Sequence, residues 1–119
     1  TKMHEEFGTT MITDFPELTS PFWNMSRNAD GKTAKKIDVI LGGMETIGSA
    51  ERSCDVDMMR DTFHSITDGA YSKLLYELFS KERVEAELEK FLEFDFFPRV
   101  GGGIGMTRMI SALEKHWKD

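Results

Sequence analysis

The sequence is short of cysteine, proline and long apolar runs: 119 residues hold one cysteine and three prolines. The lone Cys54 excludes an intrachain disulfide and fits a reducing cytoplasm. No stretch is apolar and long enough to cross a membrane, and no signal peptide is visible. Long basic runs are missing too. With a formal net charge of -6, nucleic acid binding is not expected as the main task of this segment, although a basic partner domain is not excluded. His4, His64 and His116 are scattered, at no metal-ligand spacing. What is present suffices for a core: 39% of the residues are hydrophobic and 30% are charged. The length suits one small domain or part of a larger one. Thr1 carries no clear start signal, so a piece of a longer protein is expected.

Along the chain, Thr9 to Phe15 read as a strand stopped by Pro16. "LTSPFWNMS" is expected to form a second strand with Pro21 at its start, and Arg27 to Lys36 a polar loop around an Asp-Gly pair. "KIDVILGG" is β-branched and apolar, and Gly42-Gly43 breaks it. "METIGSAERS" then pairs back antiparallel through that turn. After Cys54 the period becomes helical. Asp55 is a candidate N-cap, and Val56, Met59 and Phe63 share a face. A second helix is expected to turn Tyr71, Leu74, Leu75 and Leu78 inward. A third presents Val84, Leu88, Phe91 and Leu92. "FDFFPRV" leads as a strand into a glycine run, and a last helix carries Met109, Ile110, Leu113 and Trp117. Strands, then helices, then strand and helix imply an α+β fold with an antiparallel sheet flanked by helices.

The glycine run, "RVGGGIGMTRM", matches neither the dinucleotide fingerprint nor a P-loop, whose Lys-Ser/Thr pair is absent. It reads as a glycine-lined strand entering a helix with Arg108 on its first turn. The glycines serve either close packing or a ligand. Asp38 stands in an apolar strand and Glu45 just past the Gly-Gly turn. Two carboxylates on one sheet face suit Mg²⁺, which binds one or two carboxylates plus substrate phosphates. Ordinary surface charge, with one carboxylate in solvent and the other on a lysine, is the alternative. Arg52 can grip a carboxylate bidentately or pair with Glu51 or Asp55. The Arg108 guanidinium can stack on a flat ring such as a purine. Together the four residues point to ATP, Mg²⁺ and an acidic small molecule. Cys54 and His64 are expected to be structural.

"RVGGGIGMTRM" resembles motif 3 of class II aminoacyl-tRNA synthetases. "DVILGGMETIGSAER" resembles the strand pair of their aspartyl and asparaginyl branch, with Asp38, Glu45 and Arg52 at the branch's spacing, and "SPFWNM" is similar to the stretch before it. The resemblance implies that Asp38 and Glu45 hold Mg²⁺ on the ATP phosphates and that Arg52 binds the carboxylate of aspartate. Arg108 would stack on adenine and meet the γ-phosphate, while Gly103 and Gly105 let adenosine approach the backbone. Gly48 and Ser49 would line the substrate site. "GMETIGSAERSCD" is most similar to archaeal-type asparagine synthetase, which amidates aspartyl-adenylate with ammonia. Gly48 and Glu51 stand where aspartyl-tRNA synthetases usually have Ser and Gln. An aspartyl- or asparaginyl-tRNA synthetase, with tRNA as partner, is the second reading, and a non-catalytic synthetase-like binding module the third. Motifs 1 and 2 have no counterpart here. Residues 1–119 are therefore expected to be the C-terminal part of a catalytic domain from a cytoplasmic homodimer, with little activity alone.

Overall fold

The computed structural model describes residues 2–19 and 22–118, with Met3 and His4 described by backbone alone. Helix α1 (Lys2–Phe7), which no sequence signal announced, precedes strand β1 (Thr10–Pro16). β2 (Thr33–Leu41) and β3 (Met44–Arg52) follow, then helices α2 (Val56–Ser65), α3 (Ala70–Phe79) and α4 (Lys81–Leu92). β4 (Arg99–Ile104) and α5 (Met106–Lys118) complete the chain. The sheet has four strands in the order β1-β2-β3-β4, every pair antiparallel. This is the expected α+β class.

Three expectations change. The polar loop ends sooner than Lys36: β2 already begins at Thr33, because Ala34 pairs with Phe15 and is buried. The second strand reduces to one isolated bridge, Met25 to Arg52, with a further bridge, Arg27 to Ala34, at the start of the expected loop; the strand's expected start at Pro21 lies outside the described residues. The segment wedges between β2 and β3 where they splay, with Ser26 N–H donating to Glu51 O at 2.8 Å and Lys35 N–H to Ser26 O at 2.9 Å. On α3, Leu74 and Leu78 are 54% and 63% exposed, while Tyr71 and Leu75 pack inward. The helix shows the core a narrower stripe than its run of leucines suggested.

α2, α3 and α4 build their own core. Met59, Phe63, Val84, Leu88 and Leu92 are buried together, and Trp23 from the wedge segment packs against them. The Trp23 ring meets Phe63 edge-on, with centroids 5.4 Å apart, and Phe91 at 5.7 Å. Asp55 caps α2 as expected, its side chain accepting from Met58 N–H at 3.0 Å. Thr67 and Asp68, between α2 and α3, hold left-handed backbone (φ 53° each) before Gly69 at 83°. α5 has no buried residue among those described, and Ile110, Leu113 and Trp117 remain exposed on it.

Candidate active site

Alternation alone would not bring Asp38 and Glu45 together. Asp38 faces Gly48 across β2 and β3, and Glu45, three residues before Gly48, should point the other way. The register slips between Val39 and Ile40: Val39 pairs with Ile47, but Ile40 pairs with Glu45. Thr46 is the extra residue of a bulge, and it turns Glu45 onto the face of Asp38, Gly48 and Ala50. A Cβ added to Gly48 would lie 3.0 Å from Glu45 Oε1 and 3.4 Å from Asp38 Oδ1. The two carboxylates thus converge over the one position in that pair of strands that has no side chain.

Asp38 is 5% exposed, and its Oδ2 accepts from Lys36 Nζ at 2.8 Å. The ordinary surface reading therefore holds for one of its oxygens. The other, Oδ1, is buried with no hydrogen-bond partner among the described residues. An unpartnered buried carboxylate oxygen is costly unless something fills the position. Among the described residues no group of three or more His, Cys, Asp or Glu gathers to hold a metal. The donor set is the carboxylate pair, which fits a Mg²⁺ ion completed by phosphate oxygens and water.

Arg52 lies on the same face, two residues beyond Ala50, opposite Arg99. Neither expected carboxylate reaches it: Glu51 pairs with Lys35 at 3.4 Å, and Asp55 caps α2. The half-buried Arg52 guanidinium extends over Gly101, where an added Cβ would sit 2.7 Å from Nε. Gly101 is thus the glycine that Arg52 requires, a link no single-strand pattern revealed. Gly102, on the opposite face, allows close strand packing; a Cβ there would meet Gly48 O and Ser49 Cβ at 2.8 Å each. Gly103 pairs with Gly48, and a Cβ on it would meet nothing within 4 Å. It leaves an open floor beside the carboxylates.

Gly105 ends the strand, its N–H donating to Thr46 O at 2.8 Å. Arg108 folds back across Gly105, and its Nη1 donates to the Glu45 carbonyl at 2.9 Å. Asp38, Glu45, Gly48, Arg52, Gly103, Gly105 and Arg108 therefore gather at one sheet face and its edge. Ser49 does not join them. Alternation places it on the opposite face, where Oγ donates to Ile37 O at 3.2 Å. Sequence reading missed Lys36, whose reach to Asp38 is signalled only by the two-residue spacing.

The strongest polar cluster outside this face joins α2, α3 and α4. His64 Nε2 lies 2.6 Å from Glu85 Oε1 and Nδ1 lies 2.8 Å from Arg60 O. Both ring nitrogens face acceptors, so the imidazolium satisfies both. Burial pushes the His64 pKa down, but the bonds to Glu85 and to the Arg60 carbonyl outweigh it, and the net shift is upward. Burial likewise pushes Glu85 up, and hydrogen bonds from Tyr76 and His64 bring it below the usual carboxylate range. The Tyr76 hydroxyl is raised by its hydrogen bond to Glu85. This cluster ties helices together, in keeping with a structural His64. Cys54 is exposed and unpaired.

An antiparallel sheet whose last, glycine-lined strand runs straight into a helix is a class II synthetase-like fold. The chain belongs to the tRNA synthetases class II (D, K and N), whose family model matches residues 1–117. Among solved structures it is similar to asparaginyl-tRNA synthetase from Pyrococcus horikoshii, with TM-score 0.69 and 20% identity over 95% of this chain and 25% of that one. The same Pyrococcus enzyme complexed with asparaginyl-adenylate gives TM-score 0.69 and 19% identity over 96% and 24%. Aspartyl-tRNA synthetase from Entamoeba histolytica gives TM-score 0.63 and 18% identity over 93% and 21%. The chain thus spans about a quarter or less of the length of these proteins. No curated protein sequence matches it. Among the described residues, no helix is long and apolar enough to cross a membrane.

Proposed function

We propose that residues 1–119 form the C-terminal part of a catalytic domain that activates aspartate with ATP as an adenylate. The observation that carries this reading is the convergence of Asp38 Oδ1 and Glu45 Oε1 over Gly48, with Arg52, which has no ion pair among the described residues, on the same face. Asp38 and Glu45 would hold Mg²⁺, which neutralises phosphate charge when bound. Arg52 orients a substrate carboxylate by a bidentate grip. Arg108, fixed by the Glu45 carbonyl, covers the adenine side of the open floor at Gly103 and Gly105. Gly48 leaves room for the substrate beside the carboxylates.

In this chemistry a carboxylate oxygen of aspartate attacks the α-phosphorus and pyrophosphate leaves. Ammonia then attacks the acyl carbon, AMP leaves, and asparagine forms from the β-carboxylate. Arg52 either presents that carboxylate to the phosphorus or holds the α-carboxylate of a reversed substrate. The resemblance of "GMETIGSAERSCD" supports ammonia as the acceptor, in a cytoplasmic homodimer. A second reading, an aspartyl- or asparaginyl-tRNA synthetase, fits the family match and the structural neighbours at least as well. The test is AMP release by the full-length protein given aspartate, ATP, Mg²⁺ and ammonia without tRNA. Ammonia-dependent AMP with asparagine supports the ligase. AMP only on adding tRNA selects the synthetase. No AMP under either condition removes the catalytic reading.

A further inference from the structure

We infer that Lys36 is a built-in counter-cation of the carboxylate pair and limits that pair to a single divalent ion. The inference rests on the metal role proposed above for Asp38 and Glu45. Lys36 Nζ sits 2.8 Å from Asp38 Oδ2, and the two side chains are 19% and 7% exposed. The ammonium also lies over the Phe15 ring, whose centroid is 4.1 Å away. Phe15 reaches that position through a second irregularity. The register slips between Thr13 and Phe15, so Phe15 pairs with Ala34 on the Asp38 face. Asp14, at the slip, takes a left-handed φ of 57°. The neighbouring Lys35 points to the opposite face and pairs with Glu51. Lys36 is therefore set apart by the fold, on a face where its charge has one use.

The consequence is a matter of charge and of free lone pairs. Two carboxylates and one ammonium leave a net single negative charge at the pair. One divalent ion converts this to a single positive charge facing the phosphates, whereas a second ion would raise the net charge there to three positive. With Oδ2 taken by Lys36, only Oδ1 of Asp38 remains, next to Glu45 Oε1. With that oxygen held by the ammonium, Asp38 cannot bridge two ions through its two oxygens, and the charge balance disfavours a second ion on Glu45. Lys36 acts as a positioning residue: it fixes which Asp38 oxygen meets the ion and how many ions the pair accepts.

The test is a Mn²⁺ titration of the full-length protein followed by electron paramagnetic resonance, with the metal alone. The wild-type pair is expected to take one Mn²⁺. Lys36→Met, which keeps the apolar stem over Phe15, should bind Mn²⁺ about tenfold tighter or take a second ion, since a nearby positive charge is gone. Lys36→Arg should keep the wild-type count. If Lys36→Met does not fold by circular dichroism, Lys36→Gln removes the same charge and is expected to show the same gain. Unchanged affinity and count in the folded neutral variant would overturn the inference. Asp38→Asn separates the two levels. Loss of Mn²⁺ there with no effect of Lys36→Met refutes only the role of Lys36. Mn²⁺ binding indifferent to Asp38→Asn refutes the metal site itself, and the inference with it.

Discussion

Gly101→Ala tests the placement of Arg52 without touching Arg52. Gly101 pairs with Ala50, and its added Cβ would lie 2.7 Å from Arg52 Nε, 3.2 Å from Nη2 and 3.4 Å from Cζ. Ordinary carbon–nitrogen contact begins near 3.4 Å, so the guanidinium must retreat by about 0.7 Å. The backbone imposes no penalty, because Gly101 is not among the positive-φ glycines. Alanine in a strand is expected to leave folding stability unchanged or raise it by about 0.5–1 kcal/mol. A displacement approaching 1 Å of an orienting group costs up to about 100-fold. The assay is aspartate-dependent ATP–pyrophosphate exchange by the full-length protein. KM for aspartate should rise by about 10- to 100-fold, with KM for ATP changing by less than about twofold. Gly103→Ala is the matched control: its Cβ enters open space within the proposed adenosine floor, so it should raise KM for ATP and spare aspartate. An unchanged aspartate KM in Gly101→Ala, or equal losses for both substrates, refutes the argument that Arg52 is positioned over Gly101 to hold the amino acid.

Glu45→Ala in the full-length protein should abolish aspartate-dependent pyrophosphate exchange while leaving its melting temperature within a few degrees, because Glu45 is exposed; normal exchange would sink the metal assignment. Met59→Ala removes a side chain with 0% exposure and is expected to destabilise the protein by about 2–5 kcal/mol in urea unfolding, a loss below about 1 kcal/mol counting against Met59 as the centre of the helical core. The His64–Glu85 pair gives a pH profile with a defined sign. His64 has a raised pKa, so its contribution is complete below the unfolded value near 6.5 and is lost as pH rises through the folded value. Glu85 has a lowered pKa, so its contribution is present above the unfolded value near 4.3 and is lost as pH falls through the folded one. Stability from the pair should therefore peak between these limits. His64→Gln should flatten the alkaline loss, and a profile identical to wild type would remove the pair from the account.

Much of this was legible before the structure. Asp55 as a cap, the Met59/Phe63 stripe, the Gly42-Gly43 hairpin and the helix after the glycine run follow from local propensity and period, which act within a few residues. Where reading failed, the deciding contact was distant in sequence. β2 starts early because Ala34 meets Phe15, and the stretch around Met25 becomes a wedge because β2 and β3 splay there. Leu74 and Leu78 stay exposed because Tyr71 and Leu75 fill the space against α2 and α4.

The candidate site divides the same way. Sequence by itself determined the chemical groups: two carboxylates, two arginines and a glycine-lined strand, in an order that names the family. It could not determine their faces, because strict alternation sends Glu45 away from Asp38, and Phe15 to the same side as Thr13. Only tertiary structure decided those faces, through one bulge at Thr46 and one slip at Asp14. A bulge is a property of two paired strands rather than of either one: one extra residue rotates everything beyond it by half a pleat, and the partner strand fixes where that residue falls.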